Sequence, residues 1–283
     1  MNAIAAAFVA ACLDELEAPK PGNIHIFAEG HGMTVADFKA SAEAAAAAMG
    51  NPALSVGARV RAGVEATFQA VNMNTNLGIL LLCAPLAVAA EKGGDLRLSL
   101  RATLANLTRA DASDAFKAIV HARPAGLGEA PRHDVHHTAE VTLLEAMREA
   151  AGRDRIAYQY SHDFVDIFET GLPALADAGE WDWPMPWPVV RAYLGFLAGF
   201  PDSHIARKHG TAAATAVQAE AVKVLERYKN TMSPEDALRD MLSFDERLKN
   251  SGLNPGTSAD LTVATLFAGR LQHFHLRSKR EVS

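Results

Sequence analysis

Apolar residues recur along this chain at intervals of three and four, and no segment alternates convincingly over the length of a strand. That periodicity is the mark of helices with one buried face, and it leaves little from which a sheet could be built. Alanine, leucine, glutamate and arginine are abundant and favour helix. The pattern predicts helices over Ala3–Leu16, Val35–Met49, Ser55–Asn72, Ser99–Leu107, Ser113–His121, Thr138–Ala151, Tyr158–Ala178, Val189–Phe200, Ala212–Lys229, Pro234–Leu248 and Ala259–His273. Breaks fall where Pro, Gly and Asn collect, as in Pro19–Gly32, Gly50-Asn51-Pro52, Gly93-Gly94, Arg123–His133 and Asn254–Thr257. The stretch Trp181–Pro188, with three tryptophans and three prolines, reads as a rigid connection. Short connections, no repeat and no long linker predict an all-α fold, one compact multi-helix bundle spanning residues 1–283.

The most apolar stretch, Leu77–Ala90, holds no charge and contains Pro85. It falls short of the roughly 20 residues a bilayer span needs, so a buried helix is expected and no membrane association. Residues Met1–Cys12 lack a cationic start and run into Asp14, Glu15 and Glu17, which suits a first helix better than a secretory leader. Two cysteines, Cys12 and Cys83, form no disulfide framework and fit a reducing, cytoplasmic setting. Lys and Arg total 27 against 33 Asp and Glu, a net charge of −6. Such a surface argues against nucleic-acid binding while leaving room for a local cationic pocket for a nucleotide.

Polar residues gather at helix breaks. In Pro19-Lys20-Pro21-Gly22-Asn23-Ile24-His25 the prolines restrict the backbone, Lys20 suits a phosphate contact and Gly22 admits close backbone approach; a proline-rich turn with a solvated lysine accounts for the same residues. Asn74-Thr75-Asn76-Leu77-Gly78 opens the apolar helix, where Asn and Thr oxygens suit capping and the helix end suits phosphate oxygens. Glu65, on the preceding helix, is near enough through a hairpin to join that site, or is a solvated helical acid. Asn254-Pro255-Gly256-Thr257-Ser258-Ala259-Asp260 makes a tight turn with Thr257 or Ser258 as cap. Asp260 is the sole acid on an apolar helix start, suited either to the helix dipole or to Mg²⁺ with phosphates. A fourth, diffuse group comprises Gly126–Glu129, His133-Asp134, His136-His137, Ser161–Asp163 with Asp166, and Asp202–His204 with Arg207. Asp163 and Asp166 stand at i and i+3, hence on one face of the expected helix. The histidines admit a metal-dependent phosphohydrolase reading, against a solvated loop.

Three segments taken in order, Glu17-Ala-Pro-Lys-Pro-Gly22, Asn74-Thr-Asn-Leu-Gly78 and Asn254-Pro-Gly-Thr-Ser-Ala-Asp-Leu261, resemble signatures of the triphosphoribosyl-dephospho-CoA synthase family, which read approximately PKPG, NT-x-x-G and PGGSADL. Gly126-Leu-Gly-Glu-Ala130 resembles a weaker element, GARGEA, and the likeness spans about residues 10–270. The chain departs from the pattern at Asn23-Ile-His25, where the family commonly has an aspartate, at Asn76-Leu77 and at Thr257. A branch with PKPGN-x-H and NTNLG forms is similar to this chain and occurs in archaea and in methylotrophs, in the latter among genes for a folate-like one-carbon pterin carrier.

The resemblance implies an all-helical transferase that uses ATP, with Mg²⁺, and 3′-dephospho-CoA, releases adenine and joins the 5-triphosphoribosyl group to a ribose 2′-hydroxyl. One acid would protonate the leaving base and a carboxylate would activate the nucleophile. The expected roles are a base at Glu65 or Glu129, metal ligands at Asp260 and Asp163, and ATP contacts at Lys20, Gly22, His25, Asn74, Thr75, Asn76, Gly78, Arg207 and Ser258. A homodimer is expected from size and class. Alternative readings are a transferase or a nucleotide- or pterin-binding protein of tetrahydromethanopterin-like cofactor assembly, and the phosphohydrolase.

Overall fold

In the computed structural model, residues 1–176, 183–231 and 233–280 are described, with side chains up to residue 272. Among them the regular structure is helical throughout. It comprises α1 (Ala3–Glu17), α2 (Val35–Met49), α3 (Val56–Val71), α4 (Leu77–Glu91), α5 (Leu96–Ala105), α6 (Arg109–Ala122), α7 (Leu143–Ala150) and α8 (Arg155–Ser161). A π-turn over Ile167–Gly171 leads into α9 (Leu172–Ala176), followed by α10 (Trp187–Gly199), α11 (Ser203–His209), α12 (Thr211–Asn230), α13 (Pro234–Asn250) and α14 (Gly256–Arg280). The all-α expectation holds. No single described helix is long and apolar enough to cross a membrane.

Packing divides the chain into two compact units. The first takes Met1–Cys12, Asp37–Val165 and the chain from Phe267; the second takes Leu13–Ala36 and Asp166–Leu266.

In the first unit α4 is buried on every side, with Leu80, Leu82, Cys83, Ala84, Leu86 and Ala87 fully enclosed, the outcome for a helix that carries no polar face. Helix α3 starts at an N-cap, Ser55, and lies against α6 at a point where only glycine fits, since a Cβ on Gly57 would strike the Asp111 backbone. Asp111 serves both helices. Its Oδ2 accepts from Thr108 N and Oγ1 in a capping box, while Oδ1 accepts from Gly57 N at 2.9 Å. That cap also explains why α6 begins at Arg109, ahead of the start expected at Ser113. Buried Arg59 is satisfied by the Met49 and Leu54 carbonyls and both carboxylate oxygens of Glu91.

The single helix expected over Tyr158–Ala178 is interrupted. Helix α8 stops at Ser161, and Asp163 (φ 50°) and Phe164 (φ 55°) enter the left-handed region. Burial of Phe164, at 0% exposure, offsets a backbone strain of about 1–3 kcal/mol per residue. Asp163 and Asp166 therefore do not share the face of one helix.

In the second unit α10 packs on α12, and buried tyrosine hydroxyls reach backbone carbonyls: Tyr193 donates to Pro21 O at 2.6 Å and Tyr228 to Trp187 O at 2.9 Å. Trp187 and Pro188 open α10 rather than ending the connection before it, while Trp181 lies outside the described residues. Helix α11 was not expected from periodicity; it is short and set by its cap, Asp202. Helix α14 starts at Gly256, ahead of the expected Ala259, and continues past His273 to Arg280.

Candidate functional site

A buried polar cluster of the second unit begins where α1 ends. Pro19 and Pro21 bracket Lys20, whose side chain turns inward and is fully buried. Its ammonium meets Glu15 Oε1 at 2.6 Å, the Ile24 carbonyl at 2.6 Å and Asn23 Oδ1 at 3.4 Å. A lysine has three N–H donors, and here all three have an acceptor. Burial pushes the Lys20 pKa down and that of Glu15 up, each opposed by the charge of the other. In this structure Lys20 therefore shapes the loop from within.

Gly22 follows at φ +82°, where a Cβ would press on Pro255, Leu248 and the Leu253 carbonyl. Its N–H donates to Asp245 Oδ1 at 2.8 Å. Asp245, on α13, also accepts from Lys249 Nζ at 3.0 Å, and His25 Nε2 stands 3.4 Å from its Oδ1. His25 is wholly buried, and neither ring nitrogen completes a hydrogen bond. Burial lowers the His25 pKa, only partly opposed by Asp245. Burial alone would raise the pKa of Asp245, but His25, Lys249 and the Gly22 amide hold it below the ordinary carboxylate value.

The third sequence segment meets the first here. Asn23 Nδ2 donates to Asn254 Oδ1 at 2.8 Å, beside the Gly22–Pro255 contact. Immediately beyond, Asp202 ties the head of α14 to that of α11. Its Oδ1 accepts from His204 N and Ile205 N, and its Oδ2 from Ser258 N at 2.8 Å and Ser258 Oγ at 2.9 Å. Burial raises the Asp202 pKa against those four bonds. Thr257 uses its hydroxyl to bond Ser203 Oγ at 2.9 Å and to accept from His204 N at 3.1 Å. Gly256 must be glycine, because a Cβ would collide with the His204 ring.

Cations gather around this corner. His204 has its pKa lowered to about 4 by burial, then by Arg207, Lys208, His31 and His209. His31 donates from Nε2 to the Gly22 carbonyl at 2.9 Å, and its pKa is lowered by burial, against that bond, with Lys208 and Lys249 adding to the fall. Asp260 is the fifth residue of α14, past the first turn where the sequence placed it because the helix starts three residues earlier, and it is partly exposed.

Of the residues singled out in the sequence, Lys20, Gly22, His25, Arg207, Ser258 and Asp260 belong to this unit. So do Asp166 and Asp202–His204, whereas Glu65, Asn74, Thr75, Asn76, Gly78, Glu129 and Asp163 belong to the first unit. There Asn76 heads α4 but makes no side-chain bond to it. Its amide and the Thr67 hydroxyl face each other at 2.9 and 3.1 Å, and Thr75 Oγ1 donates to Ser41 Oγ at 2.6 Å. Asn74 supplies the cap instead, accepting from Leu77 N at 3.3 Å. Gly78 follows in the first turn of α4, partly exposed. Glu65 pairs with Arg61 at 2.8 Å on the surface of α3. Glu129 lies exposed in the loop after α6, with no ion pair among the described residues. Asp163 pairs with Arg101 at 3.0 Å at the surface.

Asp245, Lys249 and Glu15 were missed in the sequence. Asp245 and Lys249 stand at i and i+4 and look like a solvated helical ion pair, and Glu15 is one acid among several at the end of α1. Only burial distinguishes them. Among the described residues no group of three or more His, Cys, Asp or Glu could hold a metal ion.

The model of the ATP:dephospho-CoA triphosphoribosyl transferase family matches residues 1–278. The fold is similar to the crystal structure of a protein from Archaeoglobus fulgidus described as a triphosphoribosyl-dephospho-CoA synthase. The TM-score is 0.64 and the identity 24%, over 81% of this chain and 96% of that one. No curated protein matches the chain. With the match running over nearly its whole length, the chain belongs to the ATP:dephospho-CoA triphosphoribosyl transferase family and is a transferase.

Proposed function

We propose that this protein transfers the 5-triphosphoribosyl group of ATP to a hydroxyl of 3′-dephospho-CoA and releases adenine. The C1′–N9 bond of ATP breaks and a bond forms between C1′ and the acceptor oxygen. The acceptor's hydroxyl proton is balanced by the proton that adenine takes up on leaving. The transition state has oxocarbenium character, so a base on the acceptor and an acid on the leaving purine are the groups that matter.

The observation that carries this reading is the junction of the first and third family segments through Asn23, Asn254, Gly22 and Pro255, with Arg207, Lys208 and Lys249 around it. Such a cluster of cations beside the head of α14 suits a triphosphate.

Mg²⁺ typically takes one or two carboxylates and completes its shell with water and substrate phosphates, so it needs no protein cage. Asp260, partly exposed on α14, would supply one such carboxylate. When bound, the ion neutralises phosphate charge. For the base we favour Glu129, which lies in the GARGEA-like segment, over Glu65, which Arg61 engages.

Chromatography for free adenine after incubation with Mg-ATP and dephospho-CoA tests the reading. Adenine should appear with wild type and fall to background with Asp260→Ala. Adenine from neither protein with this pair, but from wild type with a pterin-precursor acceptor, would move the assignment to one-carbon cofactor assembly.

A further inference from the structure

The loop after α1 carries a turn that the transfer chemistry above does not use. His25 N donates to Ala28 O at 3.3 Å and Ala28 N to His25 O at 3.0 Å, so Ile26 and Phe27 are the central residues of a tight turn. Such positions usually hold Gly, Pro, Asn, Asp or Ser. Here two large apolar side chains stand in solvent, 51% and 47% exposed. The turn is firmly anchored. Ile26 N donates to Leu16 O at 3.0 Å, Lys249 Nζ to Ala28 O at 2.8 Å and Lys20 Nζ to Ile24 O at 2.6 Å. A fixed base under an exposed aromatic ring lowers the ordering entropy that a contact would otherwise lose.

Phe27 also stands beside Lys249, whose ammonium Asp245 engages as well, with His31 and Lys208 further along. Its ring lies 6.0 Å from that of His25. Lys249 bonds the carbonyl of the next residue and runs its methylenes beside Gly30, and His31 lies within the field of Lys249 and Lys208. An apolar ring followed by positive charge matches a ligand with a flat base at one end and phosphates at the other. The neighbouring apolar surface is too small for a protein partner. The other large exposed apolar side chains described in this unit, Met185 and Val222, lie outside the loop, and two turn residues fall far short of the roughly 800 Å² per partner that a stable interface buries.

We propose that Phe27, flanked by Ile26, is the stacking platform for the adenine base of a nucleotide whose phosphates extend toward Lys249 and His31. The proposal deepens the functional reading above and rests on it, since both ATP and dephospho-CoA carry that base. Stacking on one aromatic ring has the strength to govern affinity without touching the bond that breaks.

Calorimetric titration of wild type, Phe27→Ala and Phe27→Trp with ATP, dephospho-CoA and inorganic tripolyphosphate tests it. Phe27→Ala should weaken ATP, dephospho-CoA or both by roughly tenfold, Phe27→Trp should restore binding, and tripolyphosphate affinity should not change. Val222→Ala, an exposed apolar control on α12, should match wild type. A loss confined to ATP assigns the platform to the donor, and one confined to dephospho-CoA assigns it to the acceptor. Equal nucleotide affinity in wild type and Phe27→Ala overturns the proposal, whether or not sedimentation shows a changed oligomeric state. So does a parallel loss of tripolyphosphate binding, or a wild type that binds neither nucleotide. Phe27-dependent nucleotide binding without adenine release would leave the platform standing and remove the transfer reaction instead.

Discussion

Asn23 donates its side-chain amide to Asn254 Oδ1 at 2.8 Å, joining residues 231 apart in sequence. The bond sits where Gly22 meets Pro255, so the two loops share one backbone junction that a side chain would force apart.

Gly22→Ala should therefore be damaging. The position is left-handed and its Cβ site is already occupied, so strain and overpacking add to about 2–6 kcal/mol. A fall of the urea midpoint with unchanged slope checks this, and adenine release should fall with it.

Lys20 and Glu15 form a fully buried pair. Removing one partner, as in Lys20→Met, should destabilise by about 3–5 kcal/mol because the other charge is left uncompensated. Glu15→Leu combined with Lys20→Met should recover most of that loss. A double variant that folds and still turns over would establish that Lys20 acts through the loop and not on phosphate.

His204 titrates in the direction of a buried neutral imidazole. Its pKa in the folded protein is about 4, against an ordinary value near 6.5. Between those values the unfolded chain binds the proton and the folded one does not, so stability should fall as pH drops from about 6.5 toward about 4, by roughly 3 kcal/mol at most. Denaturant titrations across that range should show the slope in wild type and lose it in His204→Gln.

A polyanion beside His204 and His31 should raise both pKa values, so tripolyphosphate binding takes up protons. Affinity should strengthen as pH falls from 8 toward 6. Calorimetry in buffers of different ionisation enthalpy measures the proton uptake directly.

At the head of α4 two asparagines should separate. Asn76→Ala strands the buried Thr67 hydroxyl and should lose about 2–3 kcal/mol, whereas Asn74→Ala removes one capping bond and should lose about 1 kcal/mol. Thermal unfolding of the two variants gives the order.

Much of this protein is legible in its sequence. The bounds of α1, α2 and α3 follow from local patterning, because helix periodicity, capping residues and proline exclusion act over a few residues. The charge-free run of α4 could only be buried, since it has no face to offer water. The three ordered segments pointed to the transferase family by their residues alone. What those residues do was decided by tertiary structure. Lys20 looks like a phosphate ligand until its three acceptors are seen, two of them within four residues but brought round only by the folded loop. Asp245 and Lys249 look like solvated charges until the loop after α1 closes over them, and Asp163 looks helical until Phe164 is buried. Periodicity records which face of a helix is apolar. It does not record which polar groups are removed from water together, because that depends on contacts between segments far apart in the chain.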